Sequence, residues 1–64
     1  MSEQFLYGPI GQVLGRIVTR NDGALVLYDA TGRQLGYYVP AVDFTYETSG
    51  RVVGKGNMLT VLLR

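Results

Sequence analysis

Two oppositely charged pairs with the same separation are the first candidates for chemistry in this sequence. Asp29 precedes Arg33 by four positions, and Glu47 precedes Arg51 by four positions. Such a pair could serve as a general acid and base or could hold a charged ligand. Opposite charges that face each other beside a turn also fix the register of a hairpin, and we favour this structural interpretation. Exposed pairs of this kind contribute about 0–1 kcal/mol to stability.

The residue types on which most enzymes rely are missing. The chain contains no histidine and no cysteine, which excludes the common nucleophile–base arrangements and zinc sites built on imidazole or thiolate. The segment Gly54-Lys55-Gly56 lacks the spacing of a phosphate-binding loop. Of the carboxylates, only Asp43 has no evident structural role. We therefore expect a protein that is not an enzyme, with no catalytic, cofactor-binding or metal-binding residues.

A basic and aromatic group is the remaining chemical feature. Its members are predicted to share one face of a sheet: Arg16, Arg20, Tyr28 and Tyr38. Aromatic platforms with arginines bind single-stranded nucleic acids, but tyrosine and arginine are also enriched at protein interfaces. The net charge is only +1, so we favour a protein interface over nucleic acid. A third option is plain packing of Arg16 on the ring of Tyr28.

The length of the chain bounds what these residues can build. A chain of 64 residues is predicted to form a single domain, residues 1–64, which buries only roughly 60% of its unfolded surface. Small domains usually gain stability from disulfides, metals or a partner chain. Because cysteine and histidine are absent, self-association is the expected source. The charged fraction of 17% is below the roughly 25% of average domains, which also favours buried interfaces.

Targeting signals are not evident. The first residues lack the basic segment and long apolar stretch of a secretory signal. The longest apolar run, residues 58–63, is far shorter than the about 20 residues that span a bilayer. We expect a cytoplasmic protein with no membrane partner.

A repeated skeleton organises the elements that carry these residues. The skeleton recurs in residues 28–36 and 46–54, with a weaker copy in residues 7–15. It consists of a tyrosine, three residues, a glycine, two residues, an aliphatic residue and a second glycine. Each good copy places glycine at the end of a three-residue loop, where a hairpin needs the left-handed conformation. Residues 21–23, Asn-Asp-Gly, are predicted to form a third loop of this type outside the repeat copies. The three loops together predict three hairpin turns.

Counting outward from these loops predicts the strands, at residues 5–7, 12–20, 24–29, 33–39, 43–47 and 51–54. In this register Val18 faces Val26, Leu27 faces Leu35, and Leu25 faces Tyr37. Alternation then gives a core face with Val13, Ile17, Leu25, Leu27, Leu35, Tyr37 and Val39. The opposite, mixed face carries Leu14, Arg16, Val18, Arg20, Val26, Tyr28 and Tyr38. Because a solvated face should be mostly polar, we expect the second hairpin, the tail or another chain to cover it.

The predicted fold is all-β: an antiparallel meander of β-hairpins that forms a curved sheet or a small barrel-like sandwich. Gly15, Gly36 and Gly54 fall inside strands and predict bends or bulges. Asn57 is a good helix N-cap, whereas Thr60 and Val61 favour a strand; we slightly favour a short C-terminal helix. Exchange of a hairpin between two chains is a further option.

The segment from Tyr28 to Leu35 resembles the tyrosine–aspartate repeat of large bacterial toxin shells. With two good copies, in roughly residues 25–56, the chain is more similar to the short bacterial proteins called four-fold β-flower proteins. The resemblance implies a hairpin-repeat fold of bacterial origin without an assigned activity. Glu47 stands where the repeat has aspartate.

These observations predict a small structural or protein-interaction module that forms a homo-oligomer, most simply a dimer. The candidate interface comprises Leu14, Arg16, Val18, Val26, Tyr28 and Tyr38. The alternative is a small β-sheet nucleic-acid-binding protein that uses the basic and aromatic group. A third possibility is an accessory subunit of a larger complex.

Overall fold

The computed structural model describes residues 2–63, which form one six-stranded antiparallel sheet and a short 3-10 helix. The strands follow one another in the sheet in chain order, so the fold is a meander, and the sheet is not closed. This confirms the all-β meander expected from the repeats. The strands are β1 (Glu3–Tyr7), β2 (Val13–Thr19), β3 (Leu25–Asp29), β4 (Gln34–Val39), β5 (Phe44–Glu47) and β6 (Val52–Lys55).

The predicted hairpin loops form as expected because glycine occupies their left-handed positions. Gly23, Gly32 and Gly50 have φ values of +89°, +92° and +91°, which residues with a Cβ atom rarely adopt. The weaker first copy of the repeat makes the same loop, with Gly11 at φ +86°. All three copies therefore build equivalent hairpins: β1–β2, β3–β4 and β5–β6.

A β-bulge follows the loop in each of these three hairpins. The extra residue is the aliphatic one of the repeated skeleton, immediately before its glycine: Leu14, Leu35 and Val53. Leu27 consequently pairs with Gly36, and Leu25 pairs with Tyr38. The expected pairs of Leu27 with Leu35 and of Leu25 with Tyr37 are wrong. The pairs predicted across the loop at residues 21–23 are confirmed, including Val18 with Val26.

The bulges reverse part of the predicted face assignment, because a slip of one residue moves every later side chain to the other face. Tyr37 and Val39 do not belong to the face that carries Leu27, and Tyr38 does. Val13 pairs with Tyr7 and is likewise excluded from that face. The tail face comprises Ile17, Leu25, Leu27, Gly36, Tyr38, Thr45 and Gly54. The open face comprises Phe5, Arg16, Val18, Val26, Tyr28, Tyr37, Val39, Phe44, Tyr46 and Val52.

The C-terminal segment covers the tail face as a 3-10 helix, the tail helix (Leu59–Leu63). This agrees with the helical interpretation, and the Asn57 side chain accepts a hydrogen bond from the Leu59 amide at 3.2 Å, as a cap does. Leu59 and Leu27 are both 0% exposed. The tail helix and the sheet together therefore form the small core on this side.

The second glycine of each repeat copy gives the C-terminal segment room to approach the sheet. A Cβ atom on Gly36 would lie 2.5 Å from Leu62 Cδ1 and would overlap the Tyr46 carbonyl oxygen. At the equivalent positions it would meet Leu63 beside Gly15 and Met58 beside Gly54. The three glycines thus form a track for apolar side chains of the C-terminal segment.

Candidate protein interface

The open face is an aromatic and apolar surface that no other described element covers. The tail helix lies on the opposite side, and the hairpin β5–β6 extends the sheet instead of folding over it. Of the three elements expected to cover this face, the tail and the second hairpin therefore do not, which leaves another chain. Phe5, which pairs with Arg16 at the β1 edge, keeps 47% of its surface exposed. Only Val26, in the centre, is buried, with 3% exposure.

Arg16 is held in the open face by two neighbours. Its guanidinium lies 4.6 Å from the centroid of the Tyr28 ring, within the range of a cation–π contact. Its Nε lies 2.9 Å from Glu3 Oε2, but the N–H is not directed along a hydrogen bond, so this contact is an ion pair only. The expected packing of Arg16 on Tyr28 is present. Glu3 partly neutralises the charge that a polyanion would need.

Two stacked tyrosines form the centre of the aromatic surface. The Tyr37 and Tyr46 rings have centroids 5.2 Å apart and an interplanar angle of 24°, because the two residues pair directly across β4 and β5. Neither residue was among the predicted interface residues. The sequence signal that bears on Tyr37 is Gly36, whose position inside a strand predicts a bend or a bulge but not the resulting register.

The predicted interface residues are only partly brought together. Arg16, Val18, Val26 and Tyr28 share the open face. Leu14 occupies the first bulge and is exposed. The prediction that Tyr38 shares this face is wrong, because the bulge at position 35 turns its side chain to the tail face.

Tyr38 and Asp43 instead form a structural pair beside the loop between β4 and β5. The Tyr38 hydroxyl donates to Asp43 Oδ1 at 2.7 Å, and this hydrogen bond to a carboxylate raises the pKa of Tyr38 above its ordinary value. Asp43 adopts φ +59°, a conformation that aspartate tolerates better than most residues. Its carbonyl oxygen accepts from the Gly56 amide at 2.7 Å. Asp43, for which the sequence suggested no structural role, thus stabilises this loop through its carboxylate and its carbonyl oxygen.

The repeated charged pairs act through the backbone. Asp29 Oδ1 accepts hydrogen bonds from the Thr31 hydroxyl at 2.6 Å, the Thr31 amide at 2.9 Å and the Arg33 amide at 2.9 Å. The Thr31 hydroxyl is the main reason that the pKa of Asp29 lies below its ordinary value. Within residues 2–63, no side-chain ion pair joins Asp29 to Arg33 or Glu47 to Arg51. The role of Asp29 is therefore structural, as expected, but its carboxylate binds the amides of its own loop and does not pair with Arg33.

An open cavity of about 440 Å³ lies at the end of the open face where β2 meets β3. Its walls come from the loop at residues 21–23 and from the end of β4: Arg20, Asp22, Gly23, Ala24, Tyr37, Val39, Pro40 and Ala41. Arg20 Nε and Asp22 Oδ1 are 4.0 Å apart at its rim. Apolar walls with one cation and one anion suit a protein surface contact.

Metal sites and membrane-spanning helices are absent from the part of the chain that the structure describes. No three acidic, histidine or cysteine residues there are grouped so that they could hold a metal ion. No helix between residues 2 and 63 has the length and apolarity needed to cross a membrane. Comparison with models of protein families, with curated proteins and with solved structures found no match for the chain.

Proposed function

We propose that this protein is a small interaction module that self-associates through its open face, most simply as a dimer. The observation that carries the proposal is a sheet face built from aromatic and aliphatic side chains with no described element of its own chain over it. A solvated antiparallel sheet face is expected to be largely polar. A second copy supplies the cover that the tail and the second hairpin do not provide.

The dimensions of the sheet suit such an interface. The molecule extends 34 Å by 24 Å along its two longer axes, so one face has an area on the order of 800 Å², which is what each partner contributes to an interface of standard size. Among the described residues of one chain, few apolar side chains are buried: Ala24, Val26, Leu27 and Leu59. Covering the open face would add the burial that a domain of this length otherwise lacks.

The alternative, binding of single-stranded nucleic acid, is less favoured. Of the basic and aromatic residues proposed for it, Arg16 is paired with Glu3, and Tyr38 lies on the other face of the sheet. An expected bacterial origin and cytoplasmic location stay predictions.

The test is the molar mass in solution, measured by light scattering over a wide range of protein concentration. We expect wild type to have a dimeric mass that falls only on strong dilution. Val52→Lys, which places a charge on the open face beside Tyr46 at a position 50% exposed, should shift the protein to monomer. Because Val52 is already half in water, the variant should keep its fold, which circular dichroism checks.

Val61→Lys is the matched control. It makes the same change at an exposed position of the tail helix, on the other side of the sheet, and should leave the dimer intact. A wild-type monomer at all concentrations would overturn the proposal. Equal dissociation by both variants would show that the open face is not the interface.

A further inference from the structure

The cavity at the end of the open face is continuous with the aromatic surface. Tyr37 lines the cavity and also stacks on Tyr46 in the centre of the face. Ala24, on the cavity wall, is buried with 7% exposure, while Pro40 and Ala41 beside it are exposed. A partner that covers the aromatic surface therefore reaches this cavity as well.

Arg20 and Asp22 on the rim do not satisfy each other. Their closest N–O distance is 4.0 Å, well beyond the about 2.7–2.9 Å of a charge-assisted hydrogen bond. Their side chains are 61% and 63% exposed, so both charges face water. Apart from this distant contact, neither charge has an oppositely charged partner within residues 2–63.

Both side chains project from a hydrogen-bonded turn. The Arg20 amide donates to the Ala24 carbonyl and the Arg20 carbonyl accepts from the Gly23 amide, while Asp22 Oδ1 accepts from the Ala24 amide at 3.0 Å. The backbone that carries both charges and the Asp22 carboxylate are consequently held in place relative to the open face. Groups that are already held lose less conformational entropy when a partner binds.

We infer that Arg20 of one copy pairs with Asp22 of the other, and reciprocally, so that two cavity rims close on each other in the dimer. The inference rests on the proposed function. In a two-fold interface the same patch meets itself, with residue i on residue j and j on i. A patch that carries one cation and one anion side by side is complementary to its own copy under that rotation. Among residues 2–63 it is also the more hydrated of the two opposite-charge pairs on this face, with exposures of 61% and 63% against 33% and 47% for Arg16 and Glu3.

Charge reversal tests the pairing. Arg20→Glu gives the rim two anions, and Asp22→Lys gives it two cations, so each variant alone repels its own copy. Since like charges that face each other across an interface are strongly unfavourable, each variant should raise the dissociation constant of the dimer at least about tenfold. Mixing the two variants should restore a mixed dimer, detected by native mass spectrometry with one variant isotopically labelled.

Two control variants separate the pairing from effects on the fold. Arg33→Glu makes the same charge reversal beside a loop at the far end of the sheet and should leave the dimer unchanged. Asp22→Asn keeps an oxygen for the Ala24 amide but loses the charge, and it should weaken the dimer less than Asp22→Lys does.

The outcomes distinguish this inference from the proposed function. A wild-type dimer that both single reversals leave intact overturns the pairing and leaves the self-associating open face standing. Single reversals that dissociate but do not recombine when mixed also overturn it. A wild-type monomer removes the proposed function and this inference together.

Discussion

At the scale of single residues, Asp29 and Glu47 hold equivalent positions of the repeat but make different numbers of hydrogen bonds. Asp29 Oδ1 accepts two backbone amides and a hydroxyl in its loop. The longer Glu47 side chain accepts only from the Ser49 hydroxyl, at 2.6 Å, among the hydrogen bonds of the described residues. The two loops have the same backbone hydrogen bonds and the same left-handed glycine. The shorter aspartate therefore fits this loop better than glutamate.

Glu47→Asp should stabilise the hairpin β5–β6, because an aspartate there can accept the amides of Ser49 and Arg51 as Asp29 accepts those of its own loop. We expect the midpoint of thermal unfolding at neutral pH to rise by about 2–6 °C. The lowered pKa of Asp29 implies that such a carboxylate stabilises the fold above its unfolded pKa. The gain should disappear as the pH falls through the folded pKa. Scanning calorimetry at neutral and acid pH checks this; an unchanged midpoint at neutral pH contradicts it.

At the scale of elements, the tail and the sheet depend on each other. Thr45, which is fully buried, donates its hydroxyl to the Gly56 carbonyl at 2.7 Å and accepts the Met58 amide at 2.9 Å. These two bonds fasten the segment before the tail helix to the centre of β5. The glycine track then lets Leu62 approach the backbone of β4. The glycines at the ends of the repeats thus serve both the bulges and the tail.

Gly36→Ala and Gly54→Ala should differ, although both glycines hold the same repeat position. A Cβ atom at Gly36 meets the Tyr46 carbonyl oxygen and Leu62, whereas at Gly54 it meets only the flexible side chain of Met58. We expect about 2–3 kcal/mol of lost stability for Gly36→Ala and less than about 1 kcal/mol for Gly54→Ala. Urea unfolding measures both, and equal losses would mean that close backbone approach does not explain the glycine track.

At the scale of the whole molecule, few side chains are withdrawn from water. Leu27 and Leu59 are the fully buried apolar ones among residues 2–63, and they come from the centre of the sheet and from the tail helix. The fold of one chain is therefore a sheet with one covered face and one open face. Stability and self-association are expected to be linked, because a bound partner stabilises the folded state by mass action.

Leu59→Ala should lower the free energy of unfolding by about 2–5 kcal/mol, the range for removing a large aliphatic side chain from a core. This loss is a large part of the about 5–15 kcal/mol by which a typical domain is stable. Val61→Ala, at a position of the same helix that is 38% exposed, should cost far less. Urea unfolding at one fixed protein concentration compares the two variants. A small loss for Leu59→Ala would show that the tail is dispensable for the fold.

The hairpins and their order follow from local features of the sequence. Glycine at the left-handed position of each loop, the three-residue loop length and the alternation beyond it are local features, and local steric rules suffice to predict the meander from them. The strand bounds agree with the structure to within two residues. Four members of the candidate interface, Arg16, Val18, Val26 and Tyr28, were identified from the same alternation.

The face that Tyr37, Tyr38 and Val39 occupy depends instead on how the strands pair in the folded protein. A bulge adds one residue to a strand without changing its composition, so the same apolar pattern is compatible with either face until the partner strand is in place. Which face the tail covers is equally non-local, because it depends on contacts of Leu63, Leu62 and Met58 with glycines from three different hairpins. Because that contact forms on one side of the sheet, the stacked tyrosines are left on the other.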